Sequence, residues 1–190
     1  MAVDRPILRF STPAEVESWF AENHATSEGI LVTFSKKGAP IQLPTYDEVV
    51  AVGLRYGWID SQLKGLDENH FLLTYTPRRA RSPWSQVNRE KAEAMISAGT
   101  MKPAGLAAVE QAKANGRWEA AYAGSADFET PQDFLDALKL NPTAAAFYET
   151  LTRQNKYAVY FRLNDAKKPE TRARRIVKFV EMFERGEKLY

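Results

Sequence analysis

The sequence predicts an α+β fold: an N-terminal β-α-β-α-β-β unit with a small, mainly antiparallel sheet, packed against a C-terminal helical bundle. Three observations carry that reading. Gly29 to Ser35 is rich in β-branched residues, and Ser61 to Leu66 and His70 to Thr76 are two further strand-like runs joined by a turn at Asp67-Glu68-Asn69. The strings Thr12-Pro-Ala-Glu15 and Thr45-Tyr-Asp-Glu48 read as capping boxes, which place helices between the first strands. Beyond residue 80 the apolar residues recur at helical spacing and are punctuated by Gly and Pro.

Ile7 to Phe10 is a short strand. In the helix opened by Thr12, Pro13 suits the first turn and Val16, Trp19 and Phe20 form the inward face. Lys36 to Pro40 is a loop after the Gly29–Ser35 strand. The helix opened by Thr45 carries Val49, Val50, Val52 and Leu54 on several sides, so it is sandwiched in a core and ends at Gly57. Trp58-Ile59-Asp60 starts a new extended segment. Ser82 or Ser85 opens the next helix, which stops at Gly99, and Pro103 opens another, with Leu106, Val109 and Ala112 on one face and Gly116 as its stop. Thr130 caps a third, and Asn141-Pro142 starts a fourth with Ala145, Tyr148 and Leu151 inward. Tyr157 to Leu163 is apolar enough for a buried helix or a strand, and helix is preferred. Pro169 opens the last helix, with Ile176, Val180 and Phe183 as its stripe. The organisation expected is a sheet unit over 1–80 and a helical unit over 81–190, forming one compact body, because no long linker separates them.

With 190 residues, 44% hydrophobic and 26% charged, the chain is long enough to bury a core and too ordinary in composition for a disordered or fibrous class. It has no cysteine, which excludes disulfides and thiol chemistry. The absence of a leader-like apolar segment or a run of membrane-span length makes the cytoplasm the expected location. The net charge of +2 is too small to make a nucleic-acid partner the default. It conceals a local pattern, however: residues 1–60 and 101–150 are net acidic, while 61–100 and above all 151–190 are net basic.

Glycine-rich phosphate loops and nucleophile elbows are absent, and His24 and His70 stand far apart without ligand spacing. No metal and no cofactor is therefore expected. One segment does carry anion chemistry. Arg78, Arg79 and Arg81 lie in a strand-to-helix connection, followed at once by Trp84, by Ser85 as a candidate helix cap and by Asn88. Arginine forks bind phosphate or carboxylate at two points, a helix start offers N–H groups, and Trp84 offers a ring to stack on. Asp60, beside Trp58, is read as a residue that orients the arginines, because neighbouring guanidiniums would lower its pKa and spoil it as a base. Trp19 and Trp58 are expected in the core and Trp84 at a cleft edge. The alternative reading makes the arginines clamps that pair with Asp60 and Asp67. The last helix carries a second basic set, Lys167, Lys168, Arg172, Arg174, Arg175 and Lys178.

The string Tyr56-Gly-Trp-Ile-Asp60, with Thr76-Pro-Arg-Arg79, Arg81-Ser82, Trp84-Ser85 and Asn88, resembles the signature of the YdeI/OmpD-associated family, bacterial proteins also labelled bacteriocin-protection proteins. The helical strings Gly99 to Glu110, Ala112 to Trp118 and Lys168 to Ile176 agree, so the resemblance runs from about Phe10 to Glu187. Ser61 and Asn115 depart from it, where glycine and aspartate are expected. The resemblance implies an intracellular bacterial protein tied to envelope stress or antimicrobial-peptide protection, and it implies no established reaction. Three functions stay open on these residues: a protection protein that binds a small anionic ligand through Asp60, Arg78, Arg79, Arg81, Trp84, Ser85 and Asn88; an enzyme acting on a phosphorylated or carboxylate substrate there; or an interaction module with a basic helical face.

Overall fold

The computed structural model describes residues 5–190. Strand β1 (Ile7–Leu8), helix α1 (Pro13–Asn23), β2 (Ile30–Ser35), α2 (Tyr46–Arg55), β3 (Trp58–Gly65) and β4 (His70–Pro77) follow the predicted β-α-β-α-β-β order. Six helices come after them: α3 (Gln86–Ser97), α4 (Pro103–Ala114), α5 (Gln132–Lys139), α6 (Pro142–Thr150), α7 (Arg153–Asp165) and α8 (Pro169–Glu184). The chain is α+β.

Local chemistry accounts for most of these boundaries. Thr45 forms a complete capping box with Glu48, whose carboxylate accepts the Thr45 N–H at 2.7 Å. Those hydrogen bonds hold the Glu48 pKa below the ordinary range. At α1 the box is displaced by one residue: Thr12 accepts from the Glu15 N–H, but the Glu15 carboxylate takes the N–H of Ser11. Proline occupies the first turn of α1, α4, α6 and α8. The predicted cap at Thr130 is not made, because α5 begins after Pro131 and the Thr130 hydroxyl is engaged with Tyr148.

The described chain divides into two compact units. The first comprises residues up to Ser82 together with Asn88–Glu119. Its sheet has the order β1-β2-β4-β3, with β1 parallel to β2 and the other pairs antiparallel. Ile30, Val32 and Phe34 alternate onto one face and pair with Tyr75, Leu73 and Phe71. Val16 and Phe20 of α1 and the valines of α2 are buried in this unit. An aromatic cluster joins α1 to the start of β3: Phe20 and Trp58 meet edge to face at 5.2 Å, and the Trp58 indole N–H donates to the His24 carbonyl. Trp58 is buried as expected, while Trp19 is only half-buried.

Two glycines let α4 come into backbone contact with the end of α2. Gly57 has φ +75°, and a Cβ there would lie 2.7 Å from the Ala104 carbonyl oxygen. A Cβ on Gly105 would overlap the Arg55 carbonyl oxygen, which already accepts the Lys102 N–H at 3.2 Å. Val109 and Ala112 of α4 are buried, but Leu106, predicted on the same face, is 40% exposed.

The second unit comprises Pro83–Val87 and Ala120–Tyr190. Its core gathers Phe134 and Leu138 of α5, Ala144 and Tyr148 of α6, Val159 and Leu163 of α7, and Phe179, Met182 and Phe183 of α8. The short Pro83–Val87 segment is tied in by backbone pairing: Tyr122 donates to the Trp84 carbonyl at 2.9 Å and accepts from Gln86 at 2.8 Å. Among the described residues no helix is long and apolar enough to cross a membrane.

Candidate anion-binding site

The sheet topology brings three distant segments to one end of the first unit. Ile7 pairs with Leu31 and Ile30 pairs with Tyr75. The segment preceding β1, the turn preceding β2 and the end of β4 therefore converge there. Each supplies polar side chains. Arg5, Thr26, Ser27, Thr76, Arg78 and Arg79 line one cleft of about 340 Å³, to which Glu28 adds a carboxylate. That volume lies within the ~300–1,000 Å³ usual for small-molecule sites.

The backbone around the cleft is firmly placed. Arg78 N–H donates to the Gly57 carbonyl at 2.9 Å, and Arg79 N–H donates to the Ser82 hydroxyl at 2.9 Å. Gly29, at φ +146°, leaves room for Arg5: a Cβ there would lie 2.6 Å from the Arg5 Nε. That Nε is buried and has no hydrogen-bond partner among the described residues. Neither Arg5 nor Arg79 has an ion-pair partner among them. Three guanidiniums against the one carboxylate of Glu28 leave the lining with an excess of positive charge, which favours an anion between them.

Only part of the sequence-predicted site assembles here. Arg78 and Arg79 line the cleft, while Arg81 is exposed and is not among its lining residues. Trp84 does not border a cleft edge in the expected way: it is 2% exposed, and its backbone pairs with Tyr122. Ser85, expected as a helix cap beside the arginines, forms a bridge with Tyr122 within the second unit. Asn88, half-buried, lies in the first turn of α3.

Asp60 does not orient an arginine. Its carboxylate accepts the Tyr46 hydroxyl at 3.1 Å, and its strand partner is Tyr75. The Tyr75 phenol is buried without a hydrogen-bond partner among the described residues. Burial first, then the Asp60 charge, drives its pKa far above the ordinary phenol range. Asp67, the other carboxylate considered as a clamp partner, binds His70 and the Asn69 N–H within its own turn.

Arg5 carries no signal in the sequence, and neither do Thr26 and Ser27. No local pattern marks them, and only the strand register puts them beside Arg78. Among the described residues there is no group of three or more acidic or histidine side chains placed to hold a metal ion.

Two members of the second basic set, Arg172 and Arg175, are engaged within their own unit. Arg172 grips both oxygens of Asp133, at 2.6 and 2.7 Å, and donates to the Leu163 carbonyl. Arg175 donates to the Arg162 carbonyl and stands 3.7 Å from Asp165. Arg174 and Lys178 are exposed. The Arg172 hydrogen bonds hold the Asp133 carboxyl below the ordinary aspartate range. A lowered folded-state pKa stabilises the protein above the unfolded pKa, and the gain is lost as pH falls through the folded value. We therefore expect wild-type stability to decline below about pH 4 more steeply than that of Asp133→Asn. Urea midpoints from pH 7 to pH 3 check this, and parallel profiles would contradict it.

The fold and cleft define a two-unit α+β protein with a candidate anion site in its first unit. Residues 8–108, more than half of the chain, match the model of a domain of unknown function, DUF8412. The chain belongs to that family. Residues 127–186 match the model described as Bacteriocin-protection, YdeI or OmpD-Associated, so the resemblance read from the sequence is supported over the helical second unit. The arginine segment lies within the first match, outside the second. No curated protein and no solved structure matches the chain.

Proposed function

We propose that this is a binding protein that holds a small anionic ligand between Arg5, Arg78 and Arg79. One observation carries the reading: Arg5 and Arg79 face a common cleft without ion-pair partners among the described residues, and Thr26, Ser27 and Thr76 add hydroxyls around it. The description of the family matched by the second unit suggests that binding serves a protective role against bacteriocins. The engagement of Arg172 and Arg175 within α8's own unit weighs against a basic helical docking face.

Phosphate is the probe. An anion that contacts only the native state raises stability by mass action, by about 2.7 kcal/mol at a hundredfold excess over its Kd. Phosphate should raise the melting temperature of the wild type beyond matched ionic strength of chloride, which controls for screening. Arg79→Ala should lose most of that gain, and Arg81→Ala and Arg174→Ala should keep it. Equal phosphate and chloride responses in the wild type and Arg79→Ala would overturn the site.

A further inference from the structure

Ala25, Pro77 and Arg78 line two adjoining clefts rather than one. The second also has a volume of about 340 Å³, but its chemistry differs. Its walls include Tyr56 and Trp58 and a face of α4 formed by Ala104, Ala107 and Ala108, with His24 beside them. Arg78 is the one lysine, arginine or carboxylate side chain in that lining. Gly57 and Gly105 bring α4 so close to the α2–β3 turn that a Cβ on Gly57 would lie 3.3 Å from that of Ala108. The space therefore adjoins a backbone-tight junction, and alanine methyls form most of its α4 wall. A cationic cleft and a mainly apolar one thus share Ala25, Pro77 and Arg78 in their walls.

We infer that the ligand is bipartite: a phosphate monoester whose anionic head sits among Arg5, Arg78 and Arg79, and whose flat apolar body passes Arg78 into the alanine-faced cleft. This rests on the anion-site reading and names the class of ligand for it. Arg78 suits the join, because a guanidinium accepts an anion at its edge and an aromatic ring on its face. A flat body fits a wall of alanine methyls beside a backbone contact, where a branched or charged group would meet helix backbone or lose its solvation.

The test compares 1-naphthyl phosphate with inorganic phosphate by isothermal titration, in the wild type and in Ala107→Leu. Ala107 is an exposed helical position, so leucine fills the second cleft without disturbing the core. The expected result is a Kd at least about tenfold lower for naphthyl phosphate, or 1.4 kcal/mol, with Ala107→Leu abolishing the difference and leaving inorganic phosphate binding unchanged. The indole N–H resonance of Trp58 should shift with naphthyl phosphate only. Equal affinities in the wild type, or a preference that survives Ala107→Leu, would overturn the bipartite ligand and leave the anion site standing. Failure of both probes to bind would overturn the anion site itself, and this inference with it.

Discussion

Replacing Phe134 with alanine lowers stability by about 3–5 kcal/mol. Phe134 is fully buried and meets Tyr148, Phe179 and Phe183 edge to face at 5.5–6.3 Å. It therefore joins three helices, and its removal leaves a void that their aromatic rings fill only in part. The residual cavity adds to the lost transfer energy. Phe134→Leu retains most of the volume and should cost less than about 1.5 kcal/mol. Urea denaturation should show a lower midpoint with an unchanged slope. A loss under about 1 kcal/mol for the alanine variant, well below the usual range, would mean that this cluster does not hold the second unit together.

The second large effect belongs to the glycines under α4. Gly105→Ala adds one methyl group, yet the atom it meets is the Arg55 carbonyl oxygen, part of the backbone, which cannot rotate away. Relief requires α4 to move from the end of α2 and stretches the hydrogen bond from Lys102 to Arg55. Overpacking of this kind costs about 1–3 kcal/mol. Gly57→Ala adds a left-handed backbone of about 1–2 kcal/mol to a similar clash. Gly99 provides the control: its φ is +67°, but a Cβ there meets nothing within 4 Å, so Gly99→Ala carries the backbone cost alone. The expected order of destabilisation is Gly57→Ala first and Gly99→Ala well behind it. Equal losses at Gly57 and Gly99 would show that close approach of α4 contributes nothing.

Those glycines also show what the sequence conveys and what it conceals. Gly57 is legible as a helix stop, since glycine is the default residue for a positive φ. Its second duty, admitting the Ala104 carbonyl, depends on a helix far along the chain. The same division holds elsewhere. Thr45 with Glu48, and the prolines at 13, 103, 142 and 169, act on their own turns, so the helices they open are legible. Strand pairing is not local. Nothing near Arg5 indicates that β1 will lie parallel to β2 and place it beside Arg78. Trp84 sits among serines and arginines and reads as the border of a cleft, yet it is buried. Asp60 is close in sequence to Trp58 and in the fold to β4, but its strand register turns it toward Tyr46 and Tyr75. The proposed anion chemistry of Arg78 and Arg79 is legible because it rests on residue type. Arg5, Thr26 and Ser27 are not, because they come from two other segments that only the sheet brings to the end of β4. Likewise, Pro83–Val87 belongs to one unit while the residues on both sides belong to the other, an arrangement that no composition shift marks.

The central claim is that Arg5, Arg78 and Arg79 form one anion site. The most direct measurement is a phosphate titration at constant ionic strength, followed through the arginine side-chain Nε–H resonances by NMR. The Arg5 Nε, buried and without a hydrogen-bond partner among the described residues, makes a suitable reporter. The account predicts that Arg5, Arg78 and Arg79 shift along one saturating curve with a common Kd, while Arg81 and Arg174 stay in place. Linear, unsaturating shifts of all five arginines together, or no shift at Arg5 and Arg79, would contradict it.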